Sequence, residues 1–139
     1  MPCLDVTMPA AGQETRERLA AMLTEAFAEA TGHPAEIFGI HFDEYGPGMA
    51  SSGGTLVTGD DERPYLHMRL YCGRLSREQK AQAAAKLSAA FAAAVARPAW
   101  LPVLHISEHA YDNVAVGGKL LSDAYPELAE RDYYYDLRD

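Results

Sequence analysis

The stretch Phe38-Gly-Ile-His-Phe-Asp-Glu44 returns later in the chain as Pro102-Val-Leu-His-Ile-Ser-Glu108, aligning Ile40 with Leu104, His41 with His105 and Glu44 with Glu108. At the same offset Gly53-Gly-Thr-Leu56 falls on Gly117-Gly-Lys-Leu120. The paired glycines mark a turn where a side chain would obstruct the backbone. The chain therefore reads as two related halves.

A helical stretch precedes each copy. Leu19, Leu23, Ala26, Phe27 and Ala30 in the first half, and Leu87, Phe91 and Val95 in the second, recur at three-to-four spacing, with Ala26-Phe27 matching Ala90-Phe91. Ser76-Arg-Glu-Gln79 has the spacing of a capping box, which satisfies two orphan amide donors at a helix start. Gly32-His-Pro34 and Arg97-Pro98 close the two helices. Before the helices, Pro2-Cys-Leu-Asp-Val-Thr-Met8 is matched with Pro64-Tyr-Leu-His-Met-Arg-Leu70, so Leu66, Met68 and Leu70 echo Leu4, Val6 and Met8 at strand alternation.

Each half is thus strand, helix, strand, a unit whose strands run parallel across a right-handed crossover. Two such β-α-β repeats predict an α+β fold: a four-stranded mixed sheet with two helices on one face. The other face needs a cover, and three copies around an axis supply one. The expected organisation is a single domain over 1–139, with a first repeat at 2–58 and a polar linker at 59–63. The second repeat is expected at 64–121 and a C-terminal extension at 122–139.

A chain of 139 residues with 48% apolar and 23% charged residues has globular composition and buries a core without disulfides or a structural metal. A net charge of −8 repels nucleic-acid backbone, and no cluster of Lys and Arg offsets it, so no nucleic acid partner is expected. No apolar run approaches about 20 residues, and the N-terminus lacks a basic-then-apolar signal; a cytoplasmic protein with no membrane contact is expected. Cys3 and Cys72 form no CxxC, and His33, His41, His67, His105 and His109 form neither HxH nor HExxH. Reduced thiols and no metal are expected.

A β-α-β unit that starts at the proline after Met1, with Gly-Arg before the helix and Gly-Gly after the second strand, resembles 4-oxalocrotonate tautomerase. Cys72-Gly-Arg-Leu-Ser-Arg-Glu-Gln-Lys80 is similar to that family's Gly-Arg-Ser-x-Glu-Gln-Lys, and Val114-Ala-Val-Gly-Gly-Lys-Leu120 to its Gly-Ile-Gly-Gly-Glu-Leu. Leu23-Thr-Glu-Ala-Phe-Ala-Glu-Ala-Thr-Gly-His-Pro34 resembles macrophage migration inhibitory factor. Total length and the C-terminal extension are similar to the cis-3-chloroacrylic acid dehalogenase group. The chain resembles the tautomerase superfamily, as a fused 4-oxalocrotonate tautomerase-like protein. That resemblance implies a homotrimer, no cofactor and a small-molecule carboxylate substrate.

The chemistry centres on Pro2. Methionine before proline is normally removed, and removal of Met1 leaves a secondary amine. An α-amino group titrates at roughly 7.7 to 8.0, and an apolar pocket lowers that value, which makes the neutral amine a general base near neutral pH. Pro64, taken as its duplicate, is an internal amide without a basic lone pair, so one active site per chain is expected. Arg74 stands at the family's Gly-Arg position, where a guanidinium fork grips a carboxylate or steadies an enolate. The first half has Ala10-Ala-Gly12 there instead.

His33, Arg69, Tyr71, His105, Tyr111 and Asn113 are the expected substrate-binding residues, with His41 and Val114 as further candidates. By the resemblance, His33 stands where the inhibitory factor carries a lysine, Tyr71 where the dehalogenase carries its first arginine, and Asn113 and Val114 in the tautomerase pocket wall. The tautomerase's second arginine falls on Gly39 and Val103, and the dehalogenase's histidine on Phe27. A monocarboxylate such as an arylpyruvate enol therefore fits better than a dicarboxylate.

The expected function is enol-keto tautomerisation of an α-keto acid or 2-hydroxy-alkenoate. Two alternatives remain. One is hydratase, decarboxylase or dehalogenase-like chemistry with Asp43, Glu44 or Glu108 reaching the pocket. The other is a non-catalytic trimeric binding protein if Met1 is retained. Tyr125, Tyr133, Tyr134 and Tyr135 in the extension are expected at a subunit interface, since tyrosine couples apolar area with a hydrogen-bonding tip.

Overall fold

Strand alternation and helical spacing are both realised in the computed structural model, which describes residues 2–127. In chain order the elements are β1 (Cys3–Pro9), α1 (Gln13–Thr31), β2 (Gly39–Tyr45), a hairpin of β3 (Ser51–Ser52) and β4 (Thr55–Leu56), and β5 (His67–Cys72). They continue with α2 (Arg77–Val95), β6 (Val103–Glu108), a second hairpin of β7 (Ala115–Val116) and β8 (Lys119–Leu120), and the short α3 (Leu121–Ala124). The main sheet has the order β2-β1-β5-β6. Its outer pairs are parallel and the central β1–β5 pair is antiparallel, the mixed α+β sheet expected from the repeats. Met1, Tyr133, Tyr134 and Tyr135 lie outside the described residues.

Corresponding elements begin 64 residues apart: Cys3 and His67, Gln13 and Arg77, Gly39 and Val103, Ser51 and Ala115. This corrects the matching of the first strands. Leu4 corresponds to Met68, Val6 to Leu70 and Met8 to Cys72, so Leu66, not Pro64, stands in the place of Pro2. A slip of two residues keeps every side chain on its own face, which is why hydrophobic alternation does not detect it.

The core lies between the sheet and the two helices. Leu4, Val6, Met8, Met68, Leu70 and Cys72 point from β1 and β5 onto Leu19, Leu23 and Phe27 of α1 and Ala83, Leu87 and Phe91 of α2, all buried. Phe27 and Phe91, both fully buried, are the largest of these, each contributing roughly 1.5 to 3 kcal/mol by leaving water. The helix ends are secured in different ways. The Ser76 hydroxyl accepts from Gln79 N–H and the Gln79 side chain accepts from Ser76 N–H, completing the capping box. Gly32 closes α1 at φ +77°, a left-handed conformation that glycine adopts without penalty. Ala96 closes α2 at φ 55°.

Two contacts lace the antiparallel helices. Gln79 Nε2 donates to the Thr31 carbonyl at 2.9 Å, and Arg18 Nε donates to the Ala94 carbonyl at 3.1 Å. The sheet face away from the helices is polar. His41, Asp5, Arg69 and His105 form one transverse row on it, by strand register. Beside that row His67 Nε2 meets His105 Nδ1 at 2.5 Å. Partial burial, then His105 and Arg69, push the His67 pKa down. No helix among the described residues is long and apolar enough to cross a membrane.

Candidate active site

Antiparallel pairing sets where the site lies. Cys3 opposes Tyr71 across β1 and β5, so the start of β1, carrying Pro2, sits beside the end of β5. Because β6 runs parallel to β5, it finishes at the same edge. There a cleft of about 770 Å³ opens. Pro2 lies in its wall, buried, with its carbonyl accepting from Gly39 N–H at 3.4 Å.

Each remaining wall comes from a different segment. The turn from β5 into α2 delivers Gly73 and Arg74. The end of α1 delivers His33, whose ring lies parallel to Phe27 at 5.9 Å, while Phe27 in turn stacks on Phe38 at 4.2 Å. Core packing thus orients His33 toward the cleft. The segment after β6 adds His109, Tyr111 and Asn113, with the Tyr71 ring near-parallel to His109 at 5.9 Å. The β7–β8 hairpin adds Val116 and Lys119, and the chain beyond it Leu121 and Tyr125.

Six of the expected site residues therefore meet in one cleft: Pro2, Arg74, His33, Tyr71, Tyr111 and Asn113. Val114 joins them. Arg69 and His105 do not. Each sits on the polar sheet face, where Arg69 Nη1 donates to the Tyr71 hydroxyl at 3.3 Å and His105 pairs with His67. His41 lies on that same face, 3.8 Å from Asp5. The side chains of Arg69 and Tyr71 share a face, but Tyr71 is two residues closer to the strand end and so reaches the edge where the cleft begins.

The three carboxylates considered for water activation are also elsewhere. Glu108 accepts from Leu75 N–H at 2.7 Å and pairs with Lys80 at 2.5 Å. Glu44 pairs with Arg16 at 2.9 Å and accepts from Ala11 N–H. Asp43 is exposed on the edge strand β2. None of them lines the cleft.

Lys119, His109 and Tyr125 are cleft residues that the sequence reading did not assign. Lys119 was visible, since it replaces glutamate in the Gly-Gly-Glu-Leu motif, but only the hairpin's course shows that it faces the cleft. Two thiols flank the floor. Burial, with Glu108 adding to it, pushes the Cys72 thiol up to about 12, and burial and Asp5 raise that of Cys3. Neither is poised as a thiolate nucleophile. Among the described residues no cluster of His, Cys, Asp and Glu could hold a metal ion.

The equivalent region of the other half is filled. Leu66, buried, replaces Pro2; Pro9-Ala10 replaces Gly73-Arg74; Tyr45 replaces His109, with its hydroxyl donating to the Tyr65 carbonyl at 2.6 Å. Val57, 2% exposed, plugs the place of Leu121. What remains there is a hollow of about 190 Å³.

No protein-family model and no curated protein matches the chain. Solved structures do. A wild-type fused 4-OT in the form of an asymmetric trimer superposes with a TM-score of 0.78 at 25% identity, covering 88% of this chain and 98% of that one. Native fused 4-OT gives 0.79 at 21% identity, covering 87% and 97%. A member of the cis-3-chloroacrylic acid dehalogenase family gives 0.71 at 17% identity, covering 94% and 98%.

Proposed function

We propose that this chain, which has the fold of the tautomerase superfamily, ketonises an enol of an α-keto acid or a 2-hydroxy-alkenoate, with Pro2 as general base and Arg74 as the carboxylate grip. The observation that carries this reading is that Pro2 and Arg74, from opposite halves, line the same largely apolar cleft. With Met1 removed, the Pro2 nitrogen takes the enol hydroxyl proton and a proton is returned to carbon, so no net charge or redox equivalent is exchanged. The Arg74 fork holds the carboxylate and steadies negative charge on the conjugated oxygen.

Tyr71, His33, Tyr111 and Asn113 offer hydrogen bonds around the substrate. Lys119 adds a second cation to the cleft, and it modifies the expectation of a purely apolar monocarboxylate. A substrate with a second polar or anionic end is accommodated as well. We also infer a homotrimer of this chain. The trimeric fused 4-OT neighbour supports it, as does the polar sheet face, which no element among the described residues covers.

The test is ketonisation of enol-phenylpyruvate and 2-hydroxymuconate by the wild type, Pro2→Ala and Arg74→Ala, with intact mass measured on each. Equal rates in all three proteins refute the proposal. A retained Met1 in an active wild type refutes the amine mechanism in particular, and a retained Met1 in an inactive one favours a binding role.

A further inference from the structure

Each half ends its second strand on a glutamate, and the two are used alike. Glu44 accepts from Ala11 N–H and pairs with Arg16; Glu108 accepts from Leu75 N–H at 2.7 Å and pairs with Lys80 at 2.5 Å. Glutamate, amide and cation are all duplicates at the same spacing as the strands and helices. Both carboxylates are largely shielded, at 20% and 10% exposure, which favours a persistent tie over a solvated one.

The loops they tie differ. In the first half the loop is Pro9-Ala-Ala11, and in the second it is Gly73-Arg-Leu75, with Arg74 lining the cleft. Arg74 hangs between two fixed backbone points. On one side the Cys72 carbonyl accepts from His109 N–H at 2.8 Å, and on the other Leu75 N–H is held by Glu108. Gly73, the residue between Cys72 and Arg74, has no side chain to stiffen the turn.

We propose that Glu108 is a positioning residue for Arg74: its carboxylate fixes the loop from which the guanidinium reaches the substrate carboxylate. Lys80 completes the arrangement by balancing the Glu108 charge, so that the tie does not add an uncompensated anion beside an anion-binding cleft. A two-pronged grip is intolerant of displacement, because both hydrogen bonds need their geometry together. The inference rests on the reading of Arg74 as the carboxylate grip.

Glu44 is the built-in control, since it makes the same tie on a loop that carries no cleft arginine. The experiment compares Glu108→Gln and Glu108→Ala with Glu44→Gln and Glu44→Ala. Binding of phenylpyruvate, as a carboxylate probe, is measured by calorimetry, and melting temperature alongside it. Expected is a similar loss of melting temperature in the two series. The dissociation constant is expected to rise about tenfold in Glu108→Ala, less in Glu108→Gln, and by under about twofold in the Glu44 variants. In an Arg74→Ala background Glu108→Ala should add less than about twofold, which a merely structural role would not produce.

Equal weakening by the Glu44 and Glu108 series overturns the proposal, and so does an unchanged dissociation constant in Glu108→Ala or full additivity with Arg74→Ala. Turnover judges the parent reading separately. A wild type that binds phenylpyruvate through Arg74 but ketonises no enol sinks the tautomerase reading and leaves the positioning role standing. A wild type that binds no carboxylate probe overturns both.

Discussion

Asp5 and Arg69 are duplicates of one another and also face one another across β1 and β5. A local twofold axis relating the halves therefore passes between them. Two identical charged residues at that point would oppose like with like, which destabilises a cross-strand pair. Opposite charges avoid this: the charged form of Arg69 is favoured first by its hydrogen bond to Tyr71 and, to a smaller extent, by Asp5. Arg69→Asp is expected to lower the melting temperature by a few degrees, and Asp5→Arg combined with Arg69→Asp to recover most of the loss. Thermal melts of the single and double variants at low salt check it, and a double variant no better than the single one counts against the axis argument.

The register of the two halves makes a prediction about the prolines. Pro64 precedes β5 without occupying the place of Pro2, so Pro64→Ala should leave kcat/KM within about twofold of the wild type. Pro2→Ala is expected to remove roughly two or more orders of magnitude of activity, as loss of a general base does. Leu66→Ala, at the true counterpart, should act on stability, costing about 2 to 5 kcal/mol in chemical denaturation while leaving the cleft chemistry in place. Leu66 is buried at 7% exposure.

Lys119 should show itself in selectivity. Lys119→Ala is expected to raise KM for 2-hydroxymuconate about tenfold while changing KM for enol-phenylpyruvate by less than about threefold, since only the former has a second carboxylate to lose a partner. Parallel changes on both substrates would place Lys119 outside substrate recognition.

Acid should weaken the fold through His67. Its folded pKa is lowered from 6.5, so the unfolded chain binds the proton more readily. The stability this group supports is complete above about pH 6.5 and declines as pH falls through the lowered folded value. Protonation also places a charge beside Arg69 and against His105, the groups that face it on β5 and β6. Melting temperature measured from pH 7.5 to 5.0 should fall more steeply for the wild type than for His67→Gln. Parallel slopes would contradict the assignment.

Much of the fold was legible because period and punctuation are local properties. Leu19, Leu23, Phe27, Leu87 and Phe91 announce their helices by spacing, Ser76 and Gln79 announce a helix start, and Gly53-Gly54 and Gly117-Gly118 announce the hairpin turns. Register was not legible. Pro-x-Leu at residue 2 and again at residue 64 suggested an alignment that only strand pairing could correct. In the site, Pro2 and Arg74 were readable from motif position, whereas the separation of Tyr71 from Arg69 depends on which residue reaches the end of a strand. Lys119 and His109 enter the cleft through the path of a hairpin and of the chain leaving β6, and no periodicity encodes those paths.

The lacing of the helices bears on how such a chain changes over generations. Arg18 in one half and Gln79 in the other reach a carbonyl in the last turn of the opposite helix, at 3.1 and 2.9 Å. A guanidinium and an amide are chemically unlike, yet their acceptors are main-chain atoms that every sequence supplies. Any long donor arising near the start of either helix can remake the link. The seam between the copies thus asks only for a donor of sufficient reach, while the two ends of the fold differ, one holding a wide cleft and the other a small hollow.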